Sequence, residues 1–176
     1  VAQFESNIIN KYYETSLTDR YEIDGINQEV ETKLANFIES NSQSFEYPFK
    51  NLLDKNLLLL NYSPDRKLKF YTVNISAGGS MREFASYVQF KQGKKVITQA
   101  LNDGGLIKAI RQTQLNNIPT YLISRTYIGS GCVGAYGIQA TQIKNAQYKT
   151  VSVFKTKTKA LNQIDVSYDC NFYPKN

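Results

Sequence analysis

The sequence predicts an α+β fold in which N-terminal helices pack on a large antiparallel β-meander. The meander is expected as a twisted sheet, a propeller-like arrangement or a partly closed barrel. Three observations lead there. The apolar spacing shortens from three or four residues to two around "SPDRK" (63–67). Beyond that point turn-forming clusters recur at short intervals, with no helical pattern between them. Charge changes at the same place: residues 1–65 carry five Lys/Arg against eleven Asp/Glu, a net −6, and residues 66–176 carry sixteen against four, a net +12. The chain is therefore read as an acidic helical region, 1–56, and a basic antiparallel β region, 57–176, forming one compact domain. A chain of 176 residues is long enough to bury a core without a metal or a lattice of disulfides.

The elements follow in order. "FESNIINKYYE" places Phe4, Ile8, Ile9, Tyr12 and Tyr13 on one helical face. "INQEVETKLANFIES" repeats the pattern with Ile26, Val30, Leu34, Phe37 and Ile38, with Asp24 as its cap and Glu29 and Glu31 in its first turns. Pro48 opens a third, short helix with Leu52 and Leu53 facing inward. Strands are then predicted near 57–62, 68–75, 83–90, 95–101, 106–113, 120–128, 133–143, 149–156 and 163–172. They are separated by "SPDRK", "SAGGS", "KQGK", "NDGG", "NNIP", "GSGCVG" and "KNAQ". In the last strand Ile164, Val166, Tyr168, Cys170 and Phe172 share one face, and Gln163, Asp165, Ser167, Asp169 and Asn171 the other. The acidic helices are expected either to lie against the basic sheet and neutralise it, or to leave that sheet open to an acidic partner.

Composition removes several chemistries. The chain has no histidine, which excludes Ser-His-Asp and Cys-His catalysis and histidine metal sites. Two cysteines alone cannot complete a structural zinc site. Neither G-x-x-x-x-G-K-[ST] nor G-x-G-x-x-G occurs, so no cofactor and no metal are expected. "SVFK" (152–155) has the serine–lysine spacing that works on a helix, but on a strand the two side chains point apart. The carboxylates of the β region are Glu83, Asp103, Asp165 and Asp169. Asp165 and Asp169, about 13 Å apart on one strand face, are too distant for a glycosidase pair. Cys132 and Cys170 are expected to form a disulfide in an oxidising compartment; two buried thiols are the alternative.

Three stretches are candidate contact surfaces. "NISAGGSMREF" (74–84) places Ser76, Gly78, Gly79, Ser80 and Arg82 where an anion nest would form, or simply where a hairpin turns. In "YKTVSVFKTKTK", Lys149, Lys155, Lys157 and Lys159 are expected on one strand face, as a charged edge against aggregation or as a polyanion contact. Phe154, the nearest aromatic, points the other way on that strand, so nucleic acid is not expected as a partner. "GSGCVGAYG" (129–137) reads as a recognition loop or a bulged hairpin whose glycines admit a neighbouring backbone. Asn74 also begins an N-x-S sequon.

The segment 62–90 carries Ser63, Asp65, Lys67, Leu68, Lys69, Tyr71 and Thr72, then Gly78, Gly79, Ser80 and Met81, then Gln89 and Phe90. In this it resembles uncharacterised secreted or lipoprotein-like bacterial proteins. It departs from them at Val73 and Asn74, where they commonly carry a tryptophan–aspartate pair. The resemblance implies an exported, strand-rich domain and brings no activity. Together with Val1 at the first position and no apolar run of membrane-spanning length, it leads to an expected secreted or periplasmic location, the signal peptide removed; a trimmed cytosolic chain is the alternative. The functional expectation is an extracytoplasmic, non-enzymatic binding protein, inhibitor- or immunity-like, that contacts a protein or an anionic envelope polymer. The alternatives are a carboxylate-dependent glycan hydrolase and a structural envelope component.

Overall fold

The computed structural model describes residues 1–18, 23–76 and 80–170, apart from the side chains of residues 16–18, 23 and 24. The fold is α+β and its sheets are antiparallel, with no closed barrel. Helices α1 (Ala2–Thr18), α2 (Ile23–Ser40) and the short α3 (Lys50–Asp54) come first, with a 3-10 turn at Ser42–Phe45. Asp24 thus lies inside α2 instead of capping it. The third helix starts two residues after Pro48, because Phe49 takes a left-handed conformation (φ 49°) immediately before it.

The antiparallel β region forms separate sheets instead of one twisted sheet. The first is β1 (Leu59–Tyr62), β2 (Leu68–Asn74), β3 (Phe84–Gln92) and β4 (Lys95–Leu101), paired in that order. After the break at 102–105, where Gly104 adopts φ +61°, the chain builds β5 (Leu106–Leu115), β6 (Ile118–Ile128) and β7 (Val133–Lys144). β8 (Gln147–Thr150) and β11 (Gln163–Asp169) complete the second sheet. Between them β9 (Phe154–Lys155) and β10 (Ala160–Leu161) form a two-stranded hairpin.

The order of layers is helices, first sheet, second sheet. Ile8, Ile26, Val30, Leu34, Ile38, Phe49 and Leu52 pack on Leu58, Tyr71 and Val73. Burying side chains such as Leu34 and Ile38 stabilises by roughly 1.5–3 kcal/mol each. On the other side Leu68, Phe70, Val88 and Phe90 meet Ile107, Ile110, Tyr121, Ile123 and Tyr148 of the second sheet. β2 is buried on both faces from Leu68 to Val73, and a strand of that kind needs cover from two sides. This is why the strands cannot form one open sheet. The Ser63–Leu68 turn also joins the layers. Asp65 accepts hydrogen bonds from Ser63 Oγ and Lys67 N with one oxygen, and from Gln112 and Tyr121 of the second sheet with the other.

β8 and β11 lie on the same edge of β7, one after the other. β11 pairs with 133–139 and β8 with 141–144. The chain leaves that edge at Thr150 and returns at Gln163, so 151–162 is an excursion. Val151 N–H donates to Ala140 O, and Ala140 N–H donates to Asn162 O. The strand expected at 149–156 is therefore broken: Thr150 ends β8, and β9 begins only at Phe154.

Candidate binding groove and loops

The excursion builds a groove. Gln142, Lys144 and Ile118 of the second sheet form one wall and Thr150, Ser152 and Lys155 another, around a volume of about 630 Å³. Among the described residues no carboxylate lines it. Gln142 is buried and its Nε2 donates to Thr120 Oγ1 at 2.7 Å. Lys149 faces Gln142 across the β7–β8 pair. The groove is thus bordered by two lysines together with hydroxyl- and amide-bearing side chains, which suits an anionic, hydroxyl-rich ligand.

Of the expected lysine face, Lys155 alone borders the groove. Lys157 lies in the turn where Lys159 O accepts from Thr156 N and Oγ1, and Lys159 directly precedes β10. The single-strand face that was to carry Lys149, Lys155, Lys157 and Lys159 does not form, because the strand is interrupted at 151–153. The same interruption removes the parity argument that separated Ser152 from Lys155, since both border the groove.

The glycine loop is a different place. Ser76 is buried, and its hydroxyl is committed to the loop itself: it donates to Asn74 Oδ1 at 2.5 Å and accepts from Glu83 N at 2.9 Å. Asn27 of α2 further holds the Ser76 carbonyl at 3.0 Å. Gly78 and Gly79 lie outside the described residues. Ser80, Met81 and Arg82 are exposed, and Arg82 N–H donates to Ile128 O at 3.2 Å. Arg82 therefore sits at the Ile128 end of β6, beside the 129–133 turn, whereas the groove sits at the Ile118 end. Ten strand steps separate these ends, about 33 Å. The structure does not bring Arg82 and Lys155 into one site.

At the 129–137 segment, Cys132 and Cys170 are disulfide-bonded, with Cα atoms 5.3 Å apart. Ser130 Oγ accepts from Cys132 N and Val133 N, closing the turn. The expected close approach of a backbone is met at Gly134, where an added Cβ would lie 2.5 Å from Tyr127 O. Most of the room, however, is taken by side chains of β11. The same Cβ would lie 2.4 Å from the Tyr168 hydroxyl, and one at Gly137 would lie 2.4 Å from Asp165 Oδ1.

A third polar region escaped sequence reasoning. Arg125, 1% exposed, places Nη2 2.5 Å from Asp103 Oδ2 between the two sheets. Burial raises the Asp103 pKa and the Arg125 charge partly offsets that. From Arg125 a chain of bonds crosses the sheet through Gln139 (3.2 Å) and Gln163 (3.0 Å) to Asp165 (2.7 Å). Asp103, Gln139 and Tyr148 border a cleft of about 470 Å³ beside this pair. The only sequence signal was an arginine among alternating apolar residues of a predicted strand.

Among the described residues no cluster of three His, Cys, Asp or Glu is placed to hold a metal, and no helix is long and apolar enough to cross a membrane. No protein-family model, curated protein or solved structure matches the chain.

Proposed function

We propose that this chain is an extracytoplasmic, non-enzymatic binding protein whose second sheet engages an anionic polymer at the Lys144–Lys155 groove. The observation that carries the reading is a groove with two lysines and, among the described residues, no carboxylate in its walls. Its position adds to this. The acidic helices pack on the far face of the first sheet, so the layer between keeps them from the cations of the second. Among the described residues, the ion pairs that link residues 1–65 to the rest of the chain are Glu46–Lys91 and the local Asp65–Lys67. The disulfide is the kind of bond that persists in an oxidising compartment, and this supports the location.

The test is affinity electrophoresis against heparin and against a neutral dextran, at low and at physiological salt. Retardation by heparin alone, weakening steeply with salt, is expected. Reversal of both groove lysines (Lys144→Glu with Lys155→Glu) is expected to weaken it roughly tenfold, as a few surface ionic contacts would. Arg82→Glu, at the other end of β6, is expected to leave it unchanged. Retardation that ignores salt, or that survives the double reversal, refutes the reading.

A further inference from the structure

β11 is apolar on the wrong side. Its odd-numbered residues, Gln163, Asp165, Ser167 and Asp169, share the sheet face that carries Gln139 and Gly137, the face turned toward the interior. Its even-numbered residues look outward. Ile164 is 46% and Val166 64% exposed, and across the ladder they stand beside Ile138 (44%) and Tyr136 (58%). The Tyr136 and Tyr168 rings lie 5.3 Å apart at the end of this strip. An exposed apolar strip of this size on a strand with little internal apolar anchoring is a feature of contact surfaces.

The strand is also an edge. Ala140 N–H donates to Asn162 O and Cys170 N–H to Cys132 O, so even-numbered residues of β11 exchange their backbone bonds with β7. The N–H and C=O groups of residues 163, 165 and 167 point the other way. Among the described residues no strand pairs with that side of β11. An edge that no other strand covers at 163, 165 and 167, among the described residues, is a template for another strand.

We propose that the occupant is β11 of a second copy, paired antiparallel across a two-fold axis at Val166. The outward groups belong to odd-numbered residues, so only registers that pair odd with odd can form hydrogen bonds. Pairing Asp165 with the partner's Asp165, or with the partner's Asp169, sets like charges opposite each other. The register that overlaps all seven residues avoids both. It places Asp165 against the partner's Ser167 and Val166 against the partner's Val166. Ile164 then meets the partner's Tyr168, and the two apolar strips become one continuous band. Such self-complementarity is what an isologous interface requires. The inference is independent of the lysine groove, which lies at the other end of β7.

The experiment is sedimentation velocity of the intact, oxidised chain, joined to cysteine cross-linking. The wild-type chain is expected to sediment as a concentration-dependent dimer. Ser167→Pro removes an N–H that points away from β7, so this variant is expected to keep its circular dichroism and its Cys132–Cys170 bond while becoming monomeric. Val166→Cys falls at a non-hydrogen-bonded pair, where opposed Cα atoms approach to about 4.5 Å. It is expected to form a disulfide-linked dimer readily, and Ile164→Cys is not. A wild-type monomer at high micromolar concentration overturns the proposal. So does a dimer that survives Ser167→Pro, or one that cross-links equally at both positions. A monomer captured by a foreign strand at this edge overturns the choice of occupant. Lys144→Glu with Lys155→Glu is expected to leave the dimer intact, so loss of heparin binding and loss of dimerisation separate the two readings.

Discussion

Among the described residues no carboxylate is bonded to Lys69. Its side chain is fully buried, and Nζ donates to the carbonyls of Ser44 at 2.8 Å and Tyr47 at 2.5 Å. Three rings surround the charge, with centroids at 4.9 Å (Phe49), 4.9 Å (Tyr71) and 5.7 Å (Tyr62). Burial lowers its pKa from an ordinary 10.5 to about 8, a fall that Glu46 slightly opposes. The folded state therefore releases this proton earlier than the unfolded chain does. Below about pH 8 both states hold it, and the fold carries the cost of the buried charge. As pH rises above 8 the unfolded state binds more protons than the native one, so stability increases until the unfolded lysine also titrates. At 1.36 kcal/mol per pH unit the full effect between pH 7 and 9.5 is about 2 kcal/mol. The carbonyls and ring faces favour the ammonium, so an observed rise of about 1–2 kcal/mol is expected. The assay is urea unfolding at pH 7, 8, 9 and 9.5, compared with Lys69→Met. The upper limit is set by the tyrosines: burial raises the pKa values of Tyr71, Tyr87 and Tyr121, which makes the fold lose stability once unfolded tyrosines ionise near pH 10. Lys69→Met is expected to be less stable at pH 7 by about 1–3 kcal/mol, because the Tyr47 carbonyl loses its donor, and to lack the rise. A flat wild-type profile, or the same slope in both proteins, refutes the reasoning.

Two more perturbations test the packing between the sheets and at β11. Arg125→Met leaves the Asp103 carboxylate half-stranded between the layers, and a loss of about 3–5 kcal/mol is expected in the same unfolding assay. Adding Asp103→Leu to it should recover part of that loss, since neither charge of this pair then remains. Gly134→Ala puts a Cβ against the Tyr168 hydroxyl and the Tyr127 carbonyl, and one of these contacts is backbone. It is expected to cost about 1–3 kcal/mol, with a change in the near-ultraviolet tyrosine signal; an unchanged spectrum and stability would contradict the close packing.

The helical region is the part most legible from spacing alone. Ile26, Val30, Leu34 and Ile38 are buried as their periodicity requires. Strand positions were legible too, because alternation and turn residues are local properties. The division into two sheets was not, although the uninterrupted burial from Leu68 to Val73 has a visible cause in "LKFYTV", which does not alternate cleanly between apolar and polar residues. β11 shows the limit of pattern reading: its alternation is real, but the apolar set faces outward, a choice made by what lies opposite each face. The groove was half legible. Lys155 stood out among other lysines, whereas Lys144 reaches the same groove only because β7 and β8 turn back on each other. Lys69 carried no signal, since a charged residue among apolar neighbours reads as solvent-facing until rings and carbonyls are seen around it.

The excursion between β8 and β11 leaves one edge of β7 and rejoins it. Its length is therefore not set by any strand it must span. Doubling such a segment adds only about 0.6 kcal/mol of closure entropy. The sheet can keep its register while the hairpin carrying Lys155 lengthens, shortens or exchanges residues. Ligand preference in this architecture is thus free to drift without endangering the scaffold, and 151–162 is the natural place to graft a new specificity.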